Sequence, residues 1–187
     1  DKKTKEFLGS PRTEAAKAFV TKIYNASRFV LSNIEEGFER LDPKVQSNAD
    51  AWIFSRLGKL VRDVPALLDE YLFADYARAL YSFFWNELCD WYIECCKAPM
   101  RAEGPQRAQV LSNLLFVLDA SLRLLHPVMP FVTEFIWRQL PHCADETLGP
   151  NLRTTRAGST RKSSAPSSCS APSWVPPVPR GPAMPSR

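Results

Sequence analysis

Phe83-Phe84-Trp85-Asn86-Glu87-Leu88-Cys89-Asp90-Trp91-Tyr92-Ile93-Glu94 lies at the centre of the chain, and its apolar positions extend a longer series. Ala77, Leu80, Phe84, Leu88, Trp91 and Cys95 recur at intervals of three and four, which predicts a helix from near Asp75 to Lys97 with those residues on its core stripe. Pro99 and Gly104 end it. Pro105, a residue favoured in a first turn, opens the next helix, which carries Leu111, Leu114, Leu115, Leu118, Leu122 and Leu125 to a break at Pro127. A short helix from Pro130 to Leu140 follows.

Toward the N-terminus, Phe19, Ile23, Ala26, Val30 and Ile34 repeat with the same period between Thr13, a candidate N-cap, and Gly37. After Asp42-Pro43, Asn48 or Asp50 is positioned to cap a second helix bearing Trp52, Ile53, Leu57, Leu60, Val64, Leu67, Leu68 and Tyr71. Pro65 interrupts it, and an interior proline removes a hydrogen bond and clashes with the preceding turn, so a kink or two shorter helices are expected. No segment alternates with period two. The fold class is therefore all-α, a bundle of about five helices.

The 187 residues suffice for one domain plus a tail, and 45% hydrophobic residues supply its core. No continuous apolar run approaches the roughly 20 residues of a membrane span, so no membrane partner is expected. The first residues, Asp1-Lys2-Lys3-Thr4-Lys5, have no apolar stretch behind them and read as a cut end, not as a signal peptide. Residues 151–187 contain seven prolines, eight serines, six basic side chains and no acidic ones. Such a composition buries too little apolar surface to offset chain entropy, and disorder is expected there. The domain scheme is a lead-in at 1–12, a bundle at 13–143 and a Pro/Ser-rich basic tail at 144–187.

Without that final stretch the net charge is −2, yet residues 1–28 hold seven basic side chains against three acidic ones. A polyanion is drawn to that end. The five cysteines form no CxxC pair and only two histidines accompany them, which argues for reduced thiols in the cytoplasm over a zinc site or a disulfide framework.

On the first helix, with Phe19 at zero and about 100° per residue, the apolar arc runs from roughly −20° to 140° while Arg28, Asn25 and Phe29 fall near 180°, 240° and 280°. An aromatic ring off the stripe, an amide and a guanidinium are the groups that read unstacked RNA bases. The competing reading packs Phe29 against a neighbouring helix and leaves Arg28 as a solvated charge. Trp85 and Trp91 are six apart, hence on different faces, one for the core and one for the surface. Glu87, Asp90 and Glu94 share a face, and without a nucleophile, metal set or phosphate loop beside them they read as structural, pairing with an arginine such as Arg78 or Arg123. His126, before Pro127, is placed to satisfy the terminal carbonyls of its helix.

Phe83 to Glu94, together with Leu124-Leu125-His126-Pro127-Val128-Met129-Pro130-Phe131-Val132-Thr133-Glu134, resembles the helical anticodon-binding domain of class I aminoacyl-tRNA synthetases, the valine enzymes most of all. Ile23-Tyr24-Asn25-Ala26-Ser27-Arg28-Phe29 is similar to the family's stretch on the helix that meets the anticodon loop. The resemblance implies an RNA-binding set of Asn25, Arg28, Phe29, Lys22 and Trp85, with the tRNA anticodon stem-loop and the parent's catalytic domain as partners of a monomeric chain. It implies ATP with magnesium for the parent. The family's His-x-Gly-His and Lys-Met-Ser-Lys-Ser signatures are absent from this sequence, so catalysis by the chain alone is not expected. Phe135 stands where the family usually has a second acidic residue. The alternative function is a helical scaffold whose aromatics are all core.

Overall fold

A computed structural model describes residues 11–101 and 104–141; the expected disordered tail, His142, Cys143 and Cys169 lie outside the described residues. Among the described residues five helices follow one another: α1, Pro11–Ser32; α2, Asn48–Asp69; α3, composed of Phe73–Ser82, Phe83–Tyr92 and Ile93–Lys97; α4, Pro105–Leu125; and α5, Pro130–Trp137. A single 3₁₀ turn, Pro99–Arg101, joins α3 to α4, and no strand occurs among the described residues. The all-α bundle expected from periodicity is the observed architecture.

The axis of the bundle is α4. Leu114, Leu115, Val117, Leu118 and Leu122 are fully enclosed, and Gln109, Ser112 and Asn113 are buried beside them, so this helix meets protein on every side. It is long and apolar enough to cross a membrane, but 72% of that stretch is buried in the fold, as a central core helix must be. Its buried polar residues hold the α1–α2 loop. Asn113 accepts from the Lys44 amide at 2.9 Å and donates to the Lys44 carbonyl at 2.7 Å, while Gln109 donates to the Asp42 carbonyl and Ser112 accepts from the Leu41 amide. The loop therefore finds side-chain partners for backbone groups that no strand supplies.

The N-cap of α2 is Ser47, not Asn48 or Asp50. Asp50 occupies the third helical position of a capping box: its Oδ2 accepts from the amides of Gln46 and Ser47, and the Ser47 hydroxyl caps its own amide in return. The helix continues through Pro65 without splitting, since Pro65 lies on its exposed face close to the end. Trp52 and Tyr71, placed by periodicity on the apolar face, are exposed. Tyr71 ends α2 with φ 59°, and the bonds from the Leu72 amide to the Leu67 carbonyl and from the Tyr71 amide to the Leu68 carbonyl close the last turn.

The middle of α3, Phe83–Tyr92, is π-helical, with the Ile93 amide bonding the Leu88 carbonyl five residues back. This wider turn explains why the expected stripe is wrong at its end. A regular helix after Leu88 would bury Trp91 and Cys95; the slower winding moves Tyr92 and Cys96 inward and leaves Trp91 66% exposed and Cys95 exposed. Ala77 is exposed as well, because Tyr76 turns inward and donates its hydroxyl to the Leu124 carbonyl.

Burial pushes the thiols of Cys89 and Cys96 and the phenol of Tyr76 up to about 12, and that of Tyr92 higher still. These acids favour their neutral forms in the fold, so their contribution is complete below their ordinary values of 9.0 and 10.0 and is lost as pH rises. Melting temperature is expected to fall steadily from about pH 9 toward pH 12. A melting temperature constant through about pH 11 would contradict the burial of these groups.

Candidate nucleic-acid interface

The first and third helices lie side by side and run in the same direction, for Phe19 meets Tyr81 and Trp85, Lys22 meets Asp90, and Phe29 meets Lys97. Phe19 enters the core from α1 because its stripe, continued by Ile23, Ala26 and Val30, is buried as its period requires. Tyr81 and Trp85, one turn apart on α3, stack with ring centroids 5.4 Å apart and planes 22° apart. Trp85 is half-buried at the end of this ladder.

Lys22 bridges the two helices. Its Nζ donates to Asp90 Oδ1 at 2.7 Å and stands 5.0 Å from the centre of the Trp85 ring. The hydrogen bond to Asp90 raises the lysine pKa against the opposing effect of partial burial. Asn25 is exposed one turn further along. Lys17, Thr21, Lys22, Asn25 and Trp85 line an open groove of about 340 Å³ that also touches Glu14. It offers a flat aromatic surface, an amide that both donates and accepts, a hydroxyl and two ammonium groups.

Phe29 continues the same strip of α1 but is half-buried, packed against the core where the last turn of α3 reaches it. Lys97 lies 5.9 Å from its ring centre while bonding Glu94 at 2.6 Å. Arg28 is exposed on the adjoining face and has no ion-pair partner among the described residues. The structure thus gathers Lys22, Asn25 and Trp85 in one groove, sets Phe29 a turn beyond it and turns Arg28 away. Lys17, Thr21 and Tyr81 were not singled out by sequence; Tyr81 carried a signal, being four residues before Trp85 on a helix.

The acidic residues Glu87, Asp90 and Glu94 of α3 are all ion-paired, but with other partners than expected. Arg56 forms a two-pronged pair with Glu87, Asp90 holds Lys22, and Glu94 holds Lys97, whereas Arg78 pairs with Asp75 and Arg123 with Asp119. Arg56 and Lys22 come from helices far apart in the chain, which spacing within α3 cannot reveal, whereas Lys97 is three residues beyond Glu94 on α3 itself. His126 bonds through Nδ1 with the Thr133 hydroxyl at 2.9 Å instead of with helix-end carbonyls. This joins the end of α4 to α5, and Trp137 adds a second tie by donating to Asp119 at 2.8 Å.

The sequence model of the anticodon-binding domain of tRNA ligase matches residues 50–176. The match starts in the first turn of α2, so it includes Trp85 and begins after the candidate residues of α1. Among curated proteins, the chain is 45% identical over 138 residues to the valine–tRNA ligase of Staphylococcus carnosus, covering 72% of this chain and 16% of the relative. It is 48% identical over 139 residues to the valine–tRNA ligase of Anoxybacillus flavithermus, with the same coverage of each. The chain therefore spans 16% of the length of these curated relatives.

Proposed function

Since the chain belongs to the anticodon-binding domain family of tRNA ligases and matches valine–tRNA ligases along that domain, we propose that it binds the anticodon stem-loop of a valine tRNA. The parent enzyme uses that grip while attaching valine with ATP and magnesium. The observation that carries the reading is the groove between α1 and α3, where Trp85, Asn25 and Lys22 stand together. An unstacked base exposes a face for an aromatic ring, an edge for an amide and a phosphate for an ammonium. Phe29 and Arg28 extend the contact along and around α1. The His-x-Gly-His and Lys-Met-Ser-Lys-Ser signatures of the synthetases are missing from the sequence. We assign ATP and magnesium to the remaining residues of a parent enzyme, with its catalytic domain as this chain's second partner.

A scaffold reading has its own support, because Phe29 is half-buried and Lys22 already has an anionic partner. The two readings part on RNA binding. The full chain should bind a stem-loop carrying the valine anticodon more tightly than the same stem-loop with a changed anticodon, and both more weakly as salt rises. Equal affinity for the two, or no binding at low salt, would leave only the scaffold.

A further inference from the structure

Trp85 presents less open surface than a stacking platform needs. The Lys22 ammonium stands 5.0 Å over its ring, within the space a stacked base would occupy, and Tyr81 already stacks on the same indole. What keeps Lys22 there is a single carboxylate: Asp90 Oδ1 accepts from Nζ at 2.7 Å across 68 positions of sequence. The lysine side chain is 31% exposed and the aspartate 45%, so water and other anions reach the pair. A half-solvated pair of this kind contributes little and exchanges readily.

We propose that Asp90 is a positioning residue for RNA recognition: it holds Lys22 across Trp85 in the free protein, and a base gains the indole when a phosphate takes Lys22 from Asp90. The inference rests on the groove being the RNA site. The exchange leaves Lys22 with an anionic partner before and after, so its electrostatic cost is small. It has a selective consequence. An RNA whose phosphate cannot reach Lys22 while its base faces Trp85 leaves the ring covered and meets the Asp90 carboxylate instead. Asp90 thereby lowers affinity for RNA in general and favours the RNA that satisfies both groups at once.

The test titrates the full chain and its variants with the two stem-loops at low and moderate salt. Asp90→Asn frees Lys22 for any phosphate, so both RNAs should bind more tightly at low salt while the anticodon preference narrows. For the changed stem-loop, which does not draw Lys22 from Asp90 in the wild type, the dependence of log affinity on log salt should steepen by about one contact, which shrinks the variant's advantage about threefold between about 50 and 200 mM; for the valine stem-loop, which already holds Lys22, the slope should stay the same. Asp90→Glu, which can still reach Lys22, should restore the wild-type slope and preference. Placed in a Lys22→Gln background, Asp90→Asn should no longer change the slope, because its effect runs through the lysine. Lys22→Gln alone should flatten the slope for the valine stem-loop by about one and keeps the proposal decidable should Asp90→Asn fold poorly. An unchanged slope for the changed stem-loop in Asp90→Asn, or for the valine stem-loop in Lys22→Gln, overturns the proposal, and so does the same Asp90→Asn shift without Lys22. A wild-type chain that binds neither stem-loop defeats the RNA-site reading itself, before Asp90 enters.

Discussion

Asp50→Ala is expected to destabilise the bundle by about 1.5–5 kcal/mol, reaching the upper end for a single substitution. The carboxylate is 3% exposed and accepts at both oxygens: from the amides of Gln46 and Ser47 and the Ser47 hydroxyl on Oδ2, and from the Tyr92 hydroxyl at 2.6 Å on Oδ1. Alanine removes the reciprocal half of the α2 capping box, an effect of about 0.5–2 kcal/mol for a cap. It also takes the carboxylate acceptor from the buried Tyr92 hydroxyl and leaves it only the weak Cys96 thiol, and a buried donor deprived of its partner costs a further 1–3 kcal/mol or so. The sum corresponds to a melting-temperature drop on the order of 5–20 °C for a domain of this size. Tyr92→Phe is the informative companion, because it deletes one bond and leaves the capping box whole; its cost should stay near 1–2 kcal/mol. A loss below about 1 kcal/mol for Asp50→Ala would mean that water replaces the carboxylate and that the α2–α3 junction is wetter than the structure shows.

The Asp50–Tyr92 bond also marks what the sequence could and could not convey. The core positions of α1 from Phe19 to Val30 and those of α4 were legible, and Pro105 and Gly104 mark a start, but α1 runs from Pro11 to Ser32, so the expected cap Thr13 lies inside the helix and Ile34 beyond its end. The inward register of α3 was not legible past Leu88. A π-helical segment follows from packing among Phe83, Phe84, Leu88, Cys89 and Tyr92, and a fixed 100° wheel has no means of anticipating it. Trp91 was therefore counted with the core and is open to solvent. The candidate site divides in the same way. Asn25 and Arg28 are exposed, as the helical wheel of α1 alone indicates. That Trp85 stands beside Asn25, or that Asp90 engages Lys22, depends on how two distant helices are laid together. Ring and charge types were readable; their partners were not.

Along α1 the RNA contacts should separate by chemistry once stability is measured beside affinity. Phe29→Ala should weaken binding of the anticodon stem-loop by about 1–3 kcal/mol, the loss of one stacking surface. The ring is half-buried, so the same change should also cost stability, about 1–2 kcal/mol against the 3–5 of a fully enclosed phenylalanine. Asn25→Ala touches only solvent and the groove and should leave the melting temperature unchanged. Its effect should fall on discrimination, reducing the preference for the valine anticodon by up to about 1–3 kcal/mol, what an amide held to a base edge contributes. Arg28→Ala, on the adjoining face, should weaken both stem-loops alike and flatten the salt dependence by about one unit of slope. The measurement is a titration of each variant with both RNAs at two salt concentrations, beside a thermal melt. If Phe29→Ala lowers the melting temperature yet leaves RNA affinity intact, the ring belongs to the α1–α3 packing alone. Recognition would then rest on the groove, where Asn25 reads an edge against the indole that Lys22 covers and uncovers.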